Sequence, residues 1–254
     1  MFRKRLSKFV QSDSTVEVVE ERGVRSLHLG TGAIQSSMRI SRPWDLELAY
    51  TRAMMAFLLF VPVPAEVLMI GLGGGSLAKY IRKHRPQTRI KVVEINPEVV
   101  SAARSHFFLP PDDEHLKVLI KDGSVYVPAH PHSADVILLD GYDAGNQVES
   151  LATLEFYLAC RQALKPGGVL SVNLWGQDSG FADYFSRLVD AFDGQVCSMP
   201  IQGKNNIVVL ALNGEGGPAR LEKALANAVK SGKHWSLDLL HYARGFRWAE
   251  KGKA

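Results

Sequence analysis

Two acidic residues follow an apolar run near the middle of the chain. The stretch DVILLDGYDA predicts a buried strand that leads into Asp140, with Asp143 three residues further on in a glycine-containing turn. A carboxylate at a strand end can orient a reacting group and accept its proton, and a second one nearby can share the same cation. Aspartate and glycine are also common turn residues. An active site and an ordinary turn therefore both fit this stretch taken alone.

A glycine-rich junction lies upstream of these acids. It has the sequence MIGLGGGSLAKYI, with four glycines in five positions where a strand should pass into a helix. Glycines there permit a tight turn and let a ligand approach the backbone and the amides of the helix N-terminus. The next strand, KVVEIN, contains Glu94, which is 23 positions after Gly71 (94 − 71). An acid at this place accepts hydrogen bonds from ribose hydroxyls, so the pair predicts an adenosine ligand and leaves NAD and S-adenosylmethionine open.

A third strand end carries Asp122 and Gly123, in the segment LKVLIKDG. A carboxylate there suits the exocyclic amine of adenine, and the glycine lets the base lie close. Parallel strands bring their carboxyl ends to one edge of a sheet, where ligands bind. We therefore expect the glycine loop, Glu94, Asp122 and Asp140 to line one crevice.

Strands alternate with helices from residue 66 onward. The near-continuous apolar strands predict a parallel sheet with helices on both faces. The later segments QVCSMPI and NNIVVLALN are joined only by QGK, which is too short for a parallel crossover. We therefore expect an antiparallel pair at one edge of the sheet. Such a sheet differs from the all-parallel dinucleotide-binding sheet and is typical of the methyltransferase-like (Rossmann-like) α/β fold of S-adenosylmethionine-dependent transferases.

The flanking segments differ from this central region. Residues 15–41 alternate in polarity and predict a meander of short antiparallel strands, and a helix is expected over roughly 46–60. The tail from Ala219 predicts two amphipathic helices. The predicted division is a β-rich region over 1–45, a Rossmann-like catalytic domain over 46–214, and a basic helical extension over 215–254.

The composition fits an ordinary globular chain. Of the 254 residues 46% are hydrophobic and 22% charged, and no apolar run reaches the roughly 18 residues of a membrane span. The net charge of +4 comes from basic residues near the two ends, and without a nucleic-acid motif we favour solvated faces over a nucleic-acid partner. Cys160, Cys197 and the eight histidines show no metal-binding or disulfide pattern, so we expect a cytoplasmic protein without a metal.

The motifs VLMIGLGGGS, VVEIN, KDG, DVILLDGYDA and LKPGGVL occur in this order over roughly residues 15–212. In order and spacing they resemble the spermidine synthase (polyamine aminopropyltransferase) family. The resemblance implies that decarboxylated S-adenosylmethionine donates its aminopropyl group to an amine acceptor such as putrescine, releasing methylthioadenosine without a metal. The edge strands of the N-terminal meander could be covered by a second copy, so a homodimer is one expected arrangement.

The resemblance also implies roles for single residues. Asp140 matches the catalytic aspartate and Asp143 the second acid of a D-x-x-D motif, which would also bind the acceptor. Tyr50 matches a tyrosine near the acceptor, and Tyr142 could wall the same pocket or pack on the following helix. The residues expected to bind the nucleoside donor are Gln35, Gly71, Gly73, Gly75, Glu94, Asp122 and Gly123.

Three positions depart from the family pattern. Gly74 stands where the family carries an aspartate that contacts the donor's amine, and Thr51 and Arg52 replace a histidine and a glutamate. An arginine where a diammonium acceptor would sit is electrostatically adverse. These departures leave two alternatives open: a methyltransferase that uses intact S-adenosylmethionine, and a non-catalytic protein that binds an adenosine ligand. An NAD oxidoreductase is disfavoured by the predicted antiparallel pair.

Overall fold

The structure is a computed structural model that describes residues 4–11, 14–30, 34–143 and 146–249. Side chains are described throughout these ranges except at residues 9–11, 14, 142, 143, 146, 147 and 227.

The N-terminal region forms a four-stranded antiparallel sheet in sequential order. Its strands are β1 Lys4–Gln11, β2 Ser14–Glu21, β3 Val24–Leu29 and β4 Ile34–Arg39. The predicted meander is therefore present, but it has one strand more than the sequence pattern indicated. Strand β1 lies in the basic N-terminal segment, and it places Lys4 opposite Glu20 and Lys8 opposite Glu17. Opposite charges across a strand pair favour this pairing, which a reading of hydrophobic alternation does not detect.

The expected helix over 46–60 is present as two short elements. Helix α1 covers Ala49–Met54, and a 3-10 helix covers Met55–Leu59. Every residue of the 3-10 helix is buried, because this segment packs between the central sheet and the C-terminal helices.

The central region alternates strands and helices as predicted. Its elements, with the C-terminal ones, are β5 Glu66–Ile70, α2 Ser76–His84, β6 Arg89–Glu94, α3 Pro97–His106, β7 Leu116–Ile120, α4 Gly123–Tyr126, β8 Ala134–Leu139, β9 Tyr142–Asp143, β10 Asn146–Gln147, a 3-10 helix Glu149–Leu151, α5 Leu154–Ala163, β11 Leu164–Trp175, α6 Phe181–Ala191, β12 Val196–Pro200, β13 Asn206–Leu212, α7 Gly217–Trp235, α8 Leu239–Gly245 and β14 Arg247–Trp248.

The large sheet has the order β14-β12-β13-β11-β8-β5-β6-β7. The strands from β11 to β7 are parallel neighbours, and β13 pairs antiparallel with both β11 and β12. The antiparallel pair is therefore confirmed, but its expected position at the edge is wrong, because β14 of the C-terminal tail pairs with β12. The chain leaves β5 toward β6 and β7 and returns to β8 on the other side, so the topological switch point lies between β5 and β8. Ligands bind at such a point.

Side chains of the sheet alternate between two apolar layers. In β5, Val67 and Met69 belong to the layer that includes the N-terminal sheet, α2, α3 and the C-terminal helices. Leu68 and Ile70 belong to the layer that includes α5 and α6. Burial on both faces explains why the parallel strands are continuously apolar. The sheet is thereby fixed from both sides, and its carboxyl edge is left for the loops that carry the candidate site.

The C-terminal extension packs on the rest of the chain. Trp235, at the end of α7, is 1% exposed and stacks against Tyr80 of α2, whose hydroxyl donates to the Trp235 carbonyl oxygen. None of the helices in the described ranges combines the length and apolar character needed to span a membrane.

Candidate active site

A cavity of about 400 Å³ opens at the switch point, at the carboxyl ends of β5, β6, β7 and β8. The loops after these strands form its wall, as parallel topology requires. Its lining includes seven residues singled out from the sequence: Gln35, Gly71, Gly73, Glu94, Asp122, Gly123 and Asp140. The structure thus brings the acids at three strand ends and the glycine loop into one crevice.

Gly71 makes the first turn of the loop after β5. Its φ is +93°, in the region that favours glycine, and a Cβ atom there would overlap the carbonyl oxygen of Asp140. The Gly71 amide donates to the Val93 carbonyl at 2.9 Å. Gly71 therefore lets the loops after β5 and β8 approach each other at the base of the cavity.

Gly74 and Gly75 do not line either of the cavities described here. A Cβ atom on Gly74 would come within 2.7 Å of the Phe107 ring and 2.9 Å of the Ser36 hydroxyl. Gly75 precedes α2 with φ +69°, and its Cβ would come within 2.7 Å of Leu109. Close packing under the loop accounts for both glycines. The assignment of Gly75 to donor binding stays a prediction that its placement does not favour.

Glu94 lies at the end of β6 and is 8% exposed. One carboxylate oxygen accepts from the Leu72 amide and the other from the Asn96 amide, both at 2.9 Å. Burial raises the pKa of Glu94, and the backbone hydrogen bonds oppose that rise. An ionised carboxylate has about four acceptor positions, so ribose hydroxyls can still bind it.

Asp122 begins α4 as its N-cap. Its Oδ1 accepts from the Ser124 amide at 2.8 Å and from the Ser124 hydroxyl at 2.7 Å. Because both bonds end on Oδ1, Oδ2 can accept from the amino group of a purine in the cavity. Gly123 follows without room for a side chain, since its Cβ would lie 2.6 Å from Ile70.

Apolar side chains form most of the remaining wall of this cavity, and sequence reasoning did not identify them. They are Leu29, Ile70, Leu72, Val93, Ile95, Pro97, Val99, Val148 and Leu151. Ile95 directly follows Glu94 and is exposed, unlike the three buried residues Val92, Val93 and Glu94 before it. Its position next to Glu94 is the signal that could have indicated an apolar wall of this cavity.

Asp140 follows β8 at the opposite side of the cavity. Its Oδ1 accepts from the Asn173 side-chain amide at 2.8 Å, and its Oδ2 accepts from the Tyr50 hydroxyl at 3.1 Å. Burial raises the pKa of Asp140, and the two hydrogen bonds, from Asn173 and Tyr50, act in the opposite direction. A carboxylate with a raised pKa is a better proton acceptor near neutral pH.

A second cavity, of about 280 Å³, lies on the other side of Asp140. It shares Asp140 and Gln35 with the first cavity, and Tyr50, Trp175 and Asn173 lie in its wall. Lys204 and Asn205 of the turn between β12 and β13, and Asn206 at the start of β13, also line it. Two small molecules could therefore meet at the Asp140 carboxylate.

Two of the predicted site residues cannot be placed completely. The backbone of Tyr142 and Asp143 forms β9, which pairs with β10. The side chains of both residues lie outside the described part of the structure. Their roles stay predictions.

The expectation that Arg52 faces the acceptor is wrong. Its guanidinium donates to the carbonyl oxygens of Leu46 and Glu47, at 2.6 and 2.9 Å, and Arg52 lines neither cavity. Thr51 is also buried away from the site and donates to the Leu48 carbonyl at 2.7 Å. The hydrogen bonds of the Arg52 guanidinium therefore stabilise the turn before α1.

Among the described residues, no three histidine, cysteine, aspartate or glutamate side chains are grouped as metal ligands would be. Cys160 and Cys197 are buried as free thiols in the two apolar layers, and burial raises the pKa of each. Neither cysteine lines either cavity.

Comparison with solved structures identifies the class of fold. A spermidine synthase in complex with the transition-state analogue AdoDATO superposes with a TM-score of 0.70 at 24% identity, over 85% of this chain and 76% of that one. Human methyltransferase-like protein 13 in complex with SAH superposes with a TM-score of 0.62 at 24% identity, over 81% of this chain and 96% of that one. These likenesses confirm the predicted methyltransferase-like α/β fold.

Comparison of sequences identifies the family within this class. The spermine/spermidine synthase domain matches residues 47–178. A polyamine aminopropyltransferase of Chromobacterium violaceum is 41% identical over 210 residues, which are 83% of this chain and 80% of that protein. The chain belongs to the spermine/spermidine synthase family, as its motifs predicted.

Proposed function

We propose that the protein transfers the aminopropyl group of decarboxylated S-adenosylmethionine to an amine acceptor such as putrescine. The observation that carries this proposal is the meeting of two cavities at Asp140 and Gln35. A transferase must hold its donor and acceptor on opposite sides of the reacting atoms. The name of the 41% identical relative, a polyamine aminopropyltransferase, supports the same chemistry.

The first cavity is the proposed donor site. Glu94 would accept from the ribose hydroxyls and Asp122 from the adenine amino group, with Gly123 leaving room for the base. Gly71 and Gly73 would let the donor lie against the backbone, and all five residues line this cavity. A spermidine synthase with the same fold forms a complex with the transition-state analogue AdoDATO, which supports binding of such a donor by this fold.

The second cavity is the proposed acceptor site. The nitrogen lone pair of the acceptor attacks the methylene carbon next to the sulfonium, and the N–C bond forms as the C–S bond breaks. The sulfur keeps the electron pair and leaves as the thioether of methylthioadenosine. Asp140 orients the nitrogen and takes the proton that it loses. The shared position of Asp140 supports this role.

The remaining assignments rest on the sequence pattern and on the family resemblance. We propose that Asp143 is the second anchor of the amine and that Tyr50 and Tyr142 line the acceptor, with Gln35 between the two substrates. Residues 46–214 would form the catalytic domain, flanked by the regions 1–45 and 215–254, and the N-terminal sheet offers edge strands through which two copies could pair.

Incubating the protein with decarboxylated S-adenosylmethionine and putrescine should give spermidine and methylthioadenosine, detected by mass spectrometry. Asp140→Asn should lower kcat by about a hundredfold or more, because general-base catalysis typically contributes that much. Calorimetry should show methylthioadenosine binding within about threefold of wild type, since asparagine keeps the shape of the side chain.

The matched control is Asp135→Asn, at the other end of β8, where the carboxylate accepts from the Ala65 and Glu66 amides. It should keep normal turnover. Normal turnover in Asp140→Asn would contradict the base assignment. Binding of intact but not decarboxylated donor would favour a methyltransferase, and failure to bind either would contradict both transferase proposals.

A further inference from the structure

Asn173 lies near the carboxyl end of β11, between the apolar residues Val172 and Leu174, and is 3% exposed. A buried amide has two donors and an acceptor to satisfy. Its Nδ2 donates to Asp140 Oδ1 at 2.8 Å, and its Oδ1 accepts from the Asn206 Nδ2 at 3.0 Å. A chain of hydrogen bonds thus connects Asn206 of β13, Asn173 of β11 and Asp140 after β8.

We propose that Asn173, held by Asn206, is a positioning residue that orients the Asp140 carboxylate and favours its ionised form. This inference rests on the proposed function, because it assigns Asp140 the role of proton acceptor. It adds two residues that neither the motifs nor the family resemblance indicated.

The chemistry of the groups fixes the direction of each hydrogen bond. An ionised carboxylate only accepts, so Asn173 must turn its Nδ2 toward Asp140. Its Oδ1 then faces Asn206, which must present its own Nδ2. If Asn206 were removed, the Asn173 Oδ1 would lose the donor that holds it, and Asp140 alone would fix the orientation of the Asn173 amide. Asn206 therefore reinforces the amide orientation that stabilises the charged form of Asp140.

The register of β11 and β13 brings Asn173 and Asn206 close enough to form a hydrogen bond. In the antiparallel pair of β11 and β13, Asn173 lies opposite Val208, and Asn206 lies opposite Trp175. The two asparagines are diagonal neighbours, at a separation that side chains can bridge across a sheet. Asn206 is partly exposed and lines the acceptor cavity, so the line of hydrogen bonds runs from that cavity to Asp140.

Other ionisable groups around Asp140 define what a pH experiment would report. Tyr50 donates to its Oδ2, and Lys204 lines the acceptor cavity with it. Glu94 and Asp122 line the donor cavity. Asn173→Ala leaves all of these in place and removes a hydrogen bond that lowers the pKa of Asp140. Because activity requires ionised Asp140, the acidic limb of the rate profile should move to higher pH in this variant.

The experiment measures kcat and kcat/KM against pH for wild type, Asn173→Ala and Asn206→Ala, with donor affinity measured by calorimetry. Asn173→Ala should lose about tenfold or more in kcat, since a hydrogen bond to a charged group is removed. Its acidic limb should move upward, with methylthioadenosine affinity within about threefold of wild type. Asn206→Ala should show a smaller shift in the same direction.

Asn213→Ala is the matched control. This asparagine follows the other end of β13 and donates to the Leu164 and Lys165 carbonyls. The Asn213→Ala substitution should leave the dependence of kcat on pH unchanged. An unchanged profile in Asn173→Ala would overturn the proposal. If that variant does not fold, an unchanged profile in Asn206→Ala would overturn it. Wild-type protein without transfer activity would contradict the proposed function instead.

Discussion

Glu94 and Asp140 are two carboxylates in one crevice that are held in different ways. Backbone amides hold Glu94, and side chains hold Asp140. The surroundings of Glu94 are therefore fixed by the fold, whereas those of Asp140 depend on residues that substitution can change. This difference suits the roles proposed for them, a fixed contact to the donor at Glu94 and an adjustable proton acceptor at Asp140.

Lys79 is a buried cation outside the site. It is 1% exposed, and its ammonium donates to the Pro43 and Phe107 carbonyls at 2.9 and 2.5 Å, with the Met38 sulfur at 3.2 Å. No salt bridge in the described part of the chain includes it. Burial lowers its pKa to about 8. Its charge is thus balanced only by dipoles.

Lys79 predicts a pH-dependent stability. Its folded-state pKa is below the ordinary value of 10.5, so its protonated form destabilises the fold below about pH 8. The penalty should disappear as the pH rises from 8 to 10.5, by about 1.4 kcal/mol per pH unit. The free energy of unfolding of wild type minus that of Lys79→Met, from urea titrations, should rise over this range.

If the difference in the free energy of unfolding between wild type and Lys79→Met stayed constant from pH 7 to 10, it would contradict a depressed pKa at Lys79. Lys83→Met on the same helix is the matched variant for loss of a lysine, because Lys83 lies on the surface and pairs with Asp45 at 2.8 Å.

At the scale of elements, the loop between β5 and α2 has no room beneath it. The backbone of Gly74 is not in the positive-φ region, so alanine there meets a packing limit and no backbone strain. Gly74→Ala should lower the free energy of unfolding by about 1–3 kcal/mol through contact with the Phe107 ring. Urea titration measures this effect.

Phe107→Leu provides the test of the cause. In the double variant, part of the loss from Gly74→Ala should be recovered, because the smaller side chain makes space for the methyl group. Additive losses would show that the crowding lies elsewhere.

The order of the central elements could be predicted because each parallel strand is buried on both faces and therefore continuously apolar. Helix α2 begins directly after the glycine-rich junction, where the sequence predicted that a strand passes into a helix. Strands β1 and β14 could not be predicted, since neither has an apolar pattern of its own and each depends on the strand beside it.

The same limit applies to the candidate site. Acids at strand ends could be found because topology collects them at one edge. Asn173 could not, because it lies inside an apolar strand and its partner Asn206 is 33 residues away. The side chain of Arg52 could not be directed from sequence either, because its hydrogen bonds depend on the turn before α1.

At the scale of the whole molecule, α7 and α8 complete an apolar layer on one face of the sheet. Trp235 of α7 stacks against the rings of Tyr80 and His84 in α2. Trp235→Ala should lower the free energy of unfolding by about 3–5 kcal/mol, as truncation of a buried tryptophan generally does. Thermal or urea denaturation measures the loss.

Val229→Ala is the matched truncation on the same helix. Val229 is 54% exposed, so its loss should change stability by about 0.5 kcal/mol or less. Equal losses at Trp235 and Val229 would contradict a specific contact at Trp235.

Strand β14 has a consequence for how the protein is synthesised. It covers the outer edge of β12, pairing Trp248 with Cys197 and Arg247 with Ser198, yet it begins 47 positions after β12 ends (247 − 200). A ribosome adds roughly 5–20 residues per second, so β12 leaves the ribosome several seconds before β14, the strand that pairs with its outer edge. During that interval the nascent chain presents an open strand edge to any neighbouring nascent chain on the same message.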